Sequence, residues 1–390
     1  MNRQTNENYF LSQAHQPFFL LGTLNAIIMM LVFALSYKGI LTLTIDFKTF
    51  HVYSFVFLLF TNMFTGFLFT TFPRFNQSDV ISKTYYVNIF YGNALSSILF
   101  LIGSFFSLEI TVLGMFVSFI SQAFITHKLY SIYKVGLNPD KSDSFWILNA
   151  SYIGLFSNFL FIVSIYYPAL LATAINIAFY LYLIFLAFSV GQRMIPFFSH
   201  SFAPRNPNFL KIIFTLFVLK VLFASIEIKS VEIVMDLGLS IYMFLEFKRW
   251  ELKPLEAPAI LWVLQLALFW LPTAFLLSAF SLVGEIFLET SFYFLNVHLL
   301  AIGFLTTVLI GFGTRVTLGH SGQPPHGDKF ATTIFIFIQV VVLGRALFSL
   351  NVAFGWGVDL LFDISFTLWL ILFIVWGVRY GKVLATGAKI

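Results

Sequence analysis

The chain has 390 residues, 59% of them hydrophobic and 10% charged, with a mean hydropathy of +0.91. Soluble domains carry about 25% charged residues, so a single water-soluble globule is excluded and the chain reads as an integral membrane protein. Cys is absent and the net charge is only +5, which excludes disulfides, thiolate-ligated haem, iron–sulfur clusters and covalent c-type haem and gives no reason to expect a nucleic-acid partner.

The first sixteen residues are polar. The apolar run that follows, Phe18 to Tyr37, is too long for a signal-peptide core and no A-x-A cleavage site follows it, so it reads as a retained first span. Apolar runs bounded by charge, Pro or polar clusters predict twelve membrane helices, near 17–37, 50–72, 85–107, 110–127, 145–167, 169–191, 210–228, 231–247, 258–280, 292–314, 330–350 and 358–379. Ser107, Leu108 and Glu109 divide the third from the fourth. Pro168 divides the fifth from the sixth, because Pro continues a helix poorly. The seventh and eighth are interrupted by Lys220, Glu227, Lys229, Glu232 and Asp236. The fold class is therefore all-α: a polytopic helical bundle in the lipid bilayer, formed by residues 1–390 as a single transmembrane domain.

Charge asymmetry orients it. Of 22 Lys and Arg, seventeen fall in the two termini and the even-numbered loops, among them Arg3 and Lys389. Lys38, Lys48 and Lys229 alone fall in odd-numbered loops; Lys220 and Arg345 lie within spans. Cytoplasmic loops collect Lys and Arg, so both termini should be cytoplasmic. Arg345 should pair with Asp359 or Asp363, because an unpaired charge in lipid is costly.

This orientation sorts the seven His. His298 and His320 bracket an apolar run of about 33 Å if helical, close to the thickness of a bilayer core, so they should lie near opposite faces and cannot share one metal ion. His51 and His298 fall on the outer side. His15, His127, His200, His320 and His326 fall on the inner side, with His127, His200 and His326 in solvated loops. In the second span Ser54, Leu58, Asn62 and Thr65 share the helical face of His51, and this polar stripe should face protein. Asn88, Gly92 and Ser96 make a comparable stripe in the third span. Gly303, Thr307 and Gly311 recur every four residues in the tenth, where small residues admit a close neighbour. Gly311, Gly313, Gly319 and Gly322 flank Arg315 and His320.

Four segments carry a family resemblance. Thr314 to Gly322 (TRVTLGHSG), preceded by His298, resembles the most characteristic segment of the NnrS family. Those are multi-span bacterial membrane proteins associated with haem, copper and the response to nitric oxide. Gln16 to Leu20 (QPFFL) resembles the family's opening Arg-Pro-Phe-Phe. Gly191 to Phe198 (GQRMIPFF) resembles its Gly-Arg-Val-Ile-Pro-Phe-Phe. Phe50-His51 and Gly66 to Pro73 (GFLFTTFP) resemble its second span. Two departures stand out. Gln16 replaces the opening Arg. The family's His-x-His-Glu reads His51-Val-Tyr53-Ser54 here, so a site needing the second His would be incomplete or completed by the Tyr53 phenol.

The resemblance implies haem, and the lack of Cys makes it non-covalent haem b with His axial ligands, for which His51 and His298 are the expected pair. Lys48 is a candidate partner for a propionate. Copper prefers His and Met, and His15, His320, His326 and His200 could form a second, inner-face site. Arg193 and Arg315 could bind a propionate by bidentate hydrogen bonds, which leaves open an arrangement in which His320 ligates haem near the inner face. The implied role is the handling of nitric oxide; catalysis, sensing and protection of other metal proteins are all compatible with these residues. The main alternative is a twelve-span secondary transporter without a metal, using Lys220, Glu227, Glu232 and Asp236 as an ion or proton path, although no sequence repeat relates residues 1–190 to 191–390. A haem–copper oxidase, which needs about six intramembrane His with two adjacent, is excluded by the His count.

Overall fold

A computed structural model describes residues 9–254 and 256–390; Arg3, counted above among the inner basic residues, lies outside them. Among the described residues there are helices and no strands. Twelve continuous helical runs appear. They are α1 (His15–Tyr37), α2 (Phe47–Asn76), α3 (Lys83–Phe106), α4 (Leu108–Val135), α5 (Ser142–Ser164), α6 (Pro168–Phe198), α7 (Phe209–Ser225), α8 (Lys229–Arg249), α9 (Ala259–Leu288), α10 (Leu295–His320), α11 (Lys329–Phe354) and α12 (Leu360–Thr386). Ten are long and apolar enough to cross a membrane. The two that are not, α7 and α8, are the two spans interrupted by charge.

Helices are forced on such a chain because hydrocarbon offers no water to unpaired N–H and C=O groups. Hydroxyls are absorbed the same way. Thr23, Thr65, Ser104 and Ser189 each donate to the carbonyl four residues back. Breaks fall where the sequence places them. Ser107 alone separates α3 from α4, and its hydroxyl caps α4 by accepting from the Ile110 N–H. A short 3-10 turn at Pro168–Leu170 opens α6.

Three helices widen into π-helix: α2 over Ser54–Phe60, α6 over Ile177–Ile184 and α10 over Leu299–Thr306. The wider turn leaves carbonyls that Thr side chains take up: Thr61, Thr306 and Thr307 each donate to the carbonyl five residues back. The affected helices are the second, sixth and tenth, so the feature recurs every four helices. Such stretches are rare and concentrate at functional sites.

Several expectations need correction. Phe294 adopts a left-handed conformation (φ 59°) at the N-cap of α10, so α10 begins at Leu295 and runs on to His320. His298 is therefore in its first turn, whereas the expected span 292–314 would have put it nearly two turns in. In α3, Asn88 is exposed, and the buried polar residues are Asn93, Ser96, Ser97 and Ser104. The polar stripe of α2 is buried as expected, with Ser54, Leu58, Asn62 and Thr65 all enclosed.

The chain divides into two compact units. The first comprises residues 1–178, 316–324 and 373–390. In it α1 crosses α2 where Gly22 meets Leu59 and Met63, and Gly66 meets His15, Phe18 and Phe19. A polar chain ties α1, α2 and α3: the Asn25 amide donates to the Leu58 carbonyl at 2.7 Å and to Ser97 at 3.0 Å, and Asn93 donates to Asn62 at 2.9 Å. The end of α12 lies on α1 through Gly377 against Thr23 and Gly381 against Leu20. The second unit comprises residues 179–315 and 325–372. Its α9 and α10 meet where a Cβ on Gly303 would come within 2.6 Å of Trp270 and one on Gly311 within 2.8 Å of Leu264, which is the close approach expected of that small-residue stripe. Arg345 donates to Ser349 and to the Tyr293 carbonyl and lies over the Phe348 ring.

The tightest helix contact is α3 on α4. A Cβ on Gly103 would lie 2.2 Å from the Thr111 nitrogen, a backbone atom that cannot yield. Gly103→Val should therefore cost at least the roughly 1–3 kcal/mol of an overpacked core, read as a lower thermal midpoint of the purified protein in detergent. Gly238→Ala, in a helix interior where a Cβ meets nothing within 4 Å, should not lower the midpoint and should raise it slightly, since Ala favours the helix by about 0.5–1 kcal/mol.

Candidate metal centre

His15 is the first residue of α1. Its neighbour Gln16 folds back so that Oε1 accepts from the Gln13 N–H at 2.8 Å and from the Ser12 hydroxyl at 3.0 Å, which satisfies donors that a helix start leaves unpaired. On the other side Gly66 of α2 admits α1 so closely that a Cβ there would sit 3.2 Å from the His15 Cα. His15 is consequently fixed and 1% exposed.

His320 is the last residue of α10. The chain turns immediately after it: Gly322 takes φ 73°, and the Gln323 N–H returns to the Leu318 carbonyl at 3.1 Å. Left-handed Gly just past a helix end is a common stop. Gln323 then ties this turn to the C-terminal tail, donating to the Ala388 carbonyl at 3.3 Å and accepting from the Ile390 N–H at 2.9 Å.

These two anchors bring the imidazoles of His15 and His320 together. Their ring centroids are 4.8 Å apart with 51° between the planes. His15 Nδ1 is buried without a hydrogen-bond partner, and so is Thr317 Oγ1 one turn before His320 on α10. Leaving such a group unsatisfied costs about 1–3 kcal/mol. A metal ion would take up the imidazole lone pair, so the residues present fit one. Among the described residues no group of three or more His, Cys, Asp or Glu could hold a metal, so this centre offers two imidazoles. Arg74, at the end of α2, lies within electrostatic reach of His320.

The other expected residues are placed as follows. His51 belongs to the first unit, three residues before the π-helical stretch of α2, with its ring 4.2 Å from that of Phe33 and 4.3 Å from that of Phe55. Tyr53 is buried, and its hydroxyl donates to the Met115 carbonyl at 3.2 Å and to Asn158 Oδ1 at 3.1 Å, which makes it a hydrogen-bonded core group. Lys48 is exposed. His298 belongs to the second unit and immediately precedes the π-helical stretch of α10. Its Nδ1 lies 2.9 Å from the Phe294 carbonyl, an N–H donation that leaves the lone pair on Nε2. Metal-bound imidazoles are oriented by such a bond. Arg315, also in the second unit, lies 4.0 Å over the Phe198 ring, and Arg193 is half-buried five residues earlier on α6. His127, His200 and His326 are exposed.

Sequence reasoning grouped His15 and His320 with His326 and His200 as candidate ligands of one inner-face site, and the structure brings the first two together. That reasoning missed Gln323, whose only signal was its place one residue after Gly322.

Comparison with known families now bears on this arrangement. The family described as NnrS protein matches residues 9–387. The chain belongs to the NnrS family. No curated protein matches it. The match includes both His15 and His320, so the paired imidazoles lie within the NnrS region, as do His51 and His298.

The orphaned His15 nitrogen makes a prediction. In chelator-treated protein, His15→Phe should raise the thermal midpoint, because it removes a buried unsatisfied nitrogen worth roughly 1–3 kcal/mol. Differential scanning fluorimetry with and without chelator checks this.

Proposed function

We propose that this NnrS-family protein is a metal-binding, multi-pass protein of the bacterial inner membrane that handles nitric oxide, with copper held between His15 and His320 and with haem b as a second cofactor, for which His51 and His298 are the candidate axial ligands. The alternation of Lys and Arg between loops supports twelve spans with both termini cytoplasmic. In that topology His15 and His320 belong to the cytoplasmic side, and His51 and His298 to the periplasmic side.

The observation that carries the copper reading is the pair of imidazole rings 4.8 Å apart, one of them buried with an unsatisfied nitrogen. Structural zinc needs four ligands. Copper(I) is content with two, and imidazole is a suitable donor for it. Copper held by these two imidazoles would supply a site for a small diatomic ligand. The haem reading rests on the His298 tautomer, on the aromatic surroundings of His51, and on the π-helical stretch that follows each of these two His in its helix. When bound, haem supplies an iron that binds nitric oxide or passes electrons according to how many strong axial ligands it keeps.

Purified protein should be coloured and contain copper. His15→Ala and His320→Ala should each lose the copper and retain the haem absorption. His51→Ala and His298→Ala should each lose the haem absorption and retain copper. Haem unchanged in both outer variants would remove the outer site, and copper unchanged in both inner variants would remove the inner one.

A further inference from the structure

The second unit contains a set of ionisable groups with no part in either metal site. Lys220 of α7 and Asp236 of α8 form an ion pair, with Nζ 2.7 Å from Oδ1 and 2.9 Å from Oδ2. Both side chains are enclosed, at 2% and 0% exposure. Ser278 of α9 donates to Asp236 Oδ2 at 2.6 Å, and Asn296 of α10 donates to the Ser278 hydroxyl at 3.4 Å. The Lys220 ammonium also lies 5.2 Å over the Tyr180 ring, in the π-helical stretch of α6.

A buried ion pair is a poor way to gain stability, since apolar residues of similar volume often serve as well or better. Inside a membrane protein such groups mark ion and proton pathways. The rest of the cluster leads outward. On α8, Lys229, Glu232 and Asp236 are three and then four residues apart, so they share one helical face. On α9, Glu285 and Ser278 are seven apart and share another. The two faces meet at their outer end, where Lys229 pairs with Glu285 at 3.1 Å with side-chain exposures of 47% and 20%. Seven helical residues place Asp236 about 10 Å further in, with half-buried Glu232 between. The titratable groups facing Asp236 are thus Lys220 from α7, Tyr180 from α6 and Glu232 from its own helix, and Glu232 in turn faces Lys229 of α8 and Glu285 of α9. The chain of hydrogen bonds from Asp236 ends at Asn296, two residues before His298.

We propose that Asp236 and Lys220 form a proton-exchange site within the helical bundle, reached through Glu232 from the end where Lys229 and Glu285 meet. A proton arriving from bulk water adds to the Asp236 carboxylate and opens the ion pair. Lys220 keeps its charge and is held over the Tyr180 ring. Release returns the proton by the same carboxyl and closes the pair. No other bond changes.

Infrared difference spectroscopy on the full-length protein in phosphatidylcholine vesicles tests this without reference to metal or haem. Acidification should produce the carbonyl-stretch band of a protonated, buried carboxyl group, shifted in D2O. Asp236→Asn should abolish that band at unchanged helix content. If Asp236→Asn does not fold, the double change Lys220→Met with Asp236→Leu removes both charges and should abolish the band too. Glu232→Gln should keep the band and slow its deuterium exchange. Absence of the band in the unaltered protein, its survival without Asp236, or unchanged exchange in Glu232→Gln would overturn the proposal. Because copper and haem content are read separately, this proposal and the metal assignments can fail independently.

Discussion

Hydrocarbon gives a polar group no water to fall back on, and most of the architecture answers to that constraint. Each backbone must close its own hydrogen bonds, so every long element is a helix. Hydroxyls meet the same demand, and many Ser and Thr, such as Thr23, Thr65, Ser104 and Ser189, bond back to their own helix. The same demand explains why the amides of Asn25, Asn62 and Asn93 are knitted together across α1, α2 and α3. Against that background a buried nitrogen with no partner, such as His15 Nδ1, is conspicuous. It is the kind of atom that a ligand, rather than the fold, would satisfy.

Small residues convert the constraint into position. Van der Waals contact and helix-to-helix hydrogen bonds drive association in lipid, and glycine lets backbones come close enough to use both. Gly66 fixes the start of α1 and with it His15. The left-handed turn at Gly322 and the Gln323 contacts to the C-terminal tail fix the end of α10 and with it His320. Two residues 305 positions apart in the chain are held side by side by elements that carry none of the chemistry themselves.

The recurrence of π-helix in α2, α6 and α10 suggests a common plan repeated every four helices. In α2 and α10 a His stands just before the widened stretch. In α6 no His does; its stretch instead carries Tyr180, which faces the Lys220–Asp236 pair. The sequence shows no matching repeat between its halves, and a period of four helices would not create one. Apolar residues are interchangeable enough in lipid that a backbone irregularity can persist after sequence likeness is gone.

The sequence alone determined the class of the molecule and most of its helix ends. Apolar runs of bilayer length, interrupted by Ser107, Pro168 and the charges of α7 and α8, are one-dimensional signals, because a helix satisfies its backbone locally. The NnrS motifs, including the one around His320, were equally legible, as was the burial of the Ser54 to Thr65 stripe, which follows from helical phase. Only the tertiary structure decided which polar groups meet. It paired His15 with His320 and Lys220 with Asp236, and it moved the inward face of α3 from Asn88 to Asn93. Such pairings depend on how helices rotate and approach one another, and that is set by the shape of small residues at contacts distant in sequence, which no local pattern encodes.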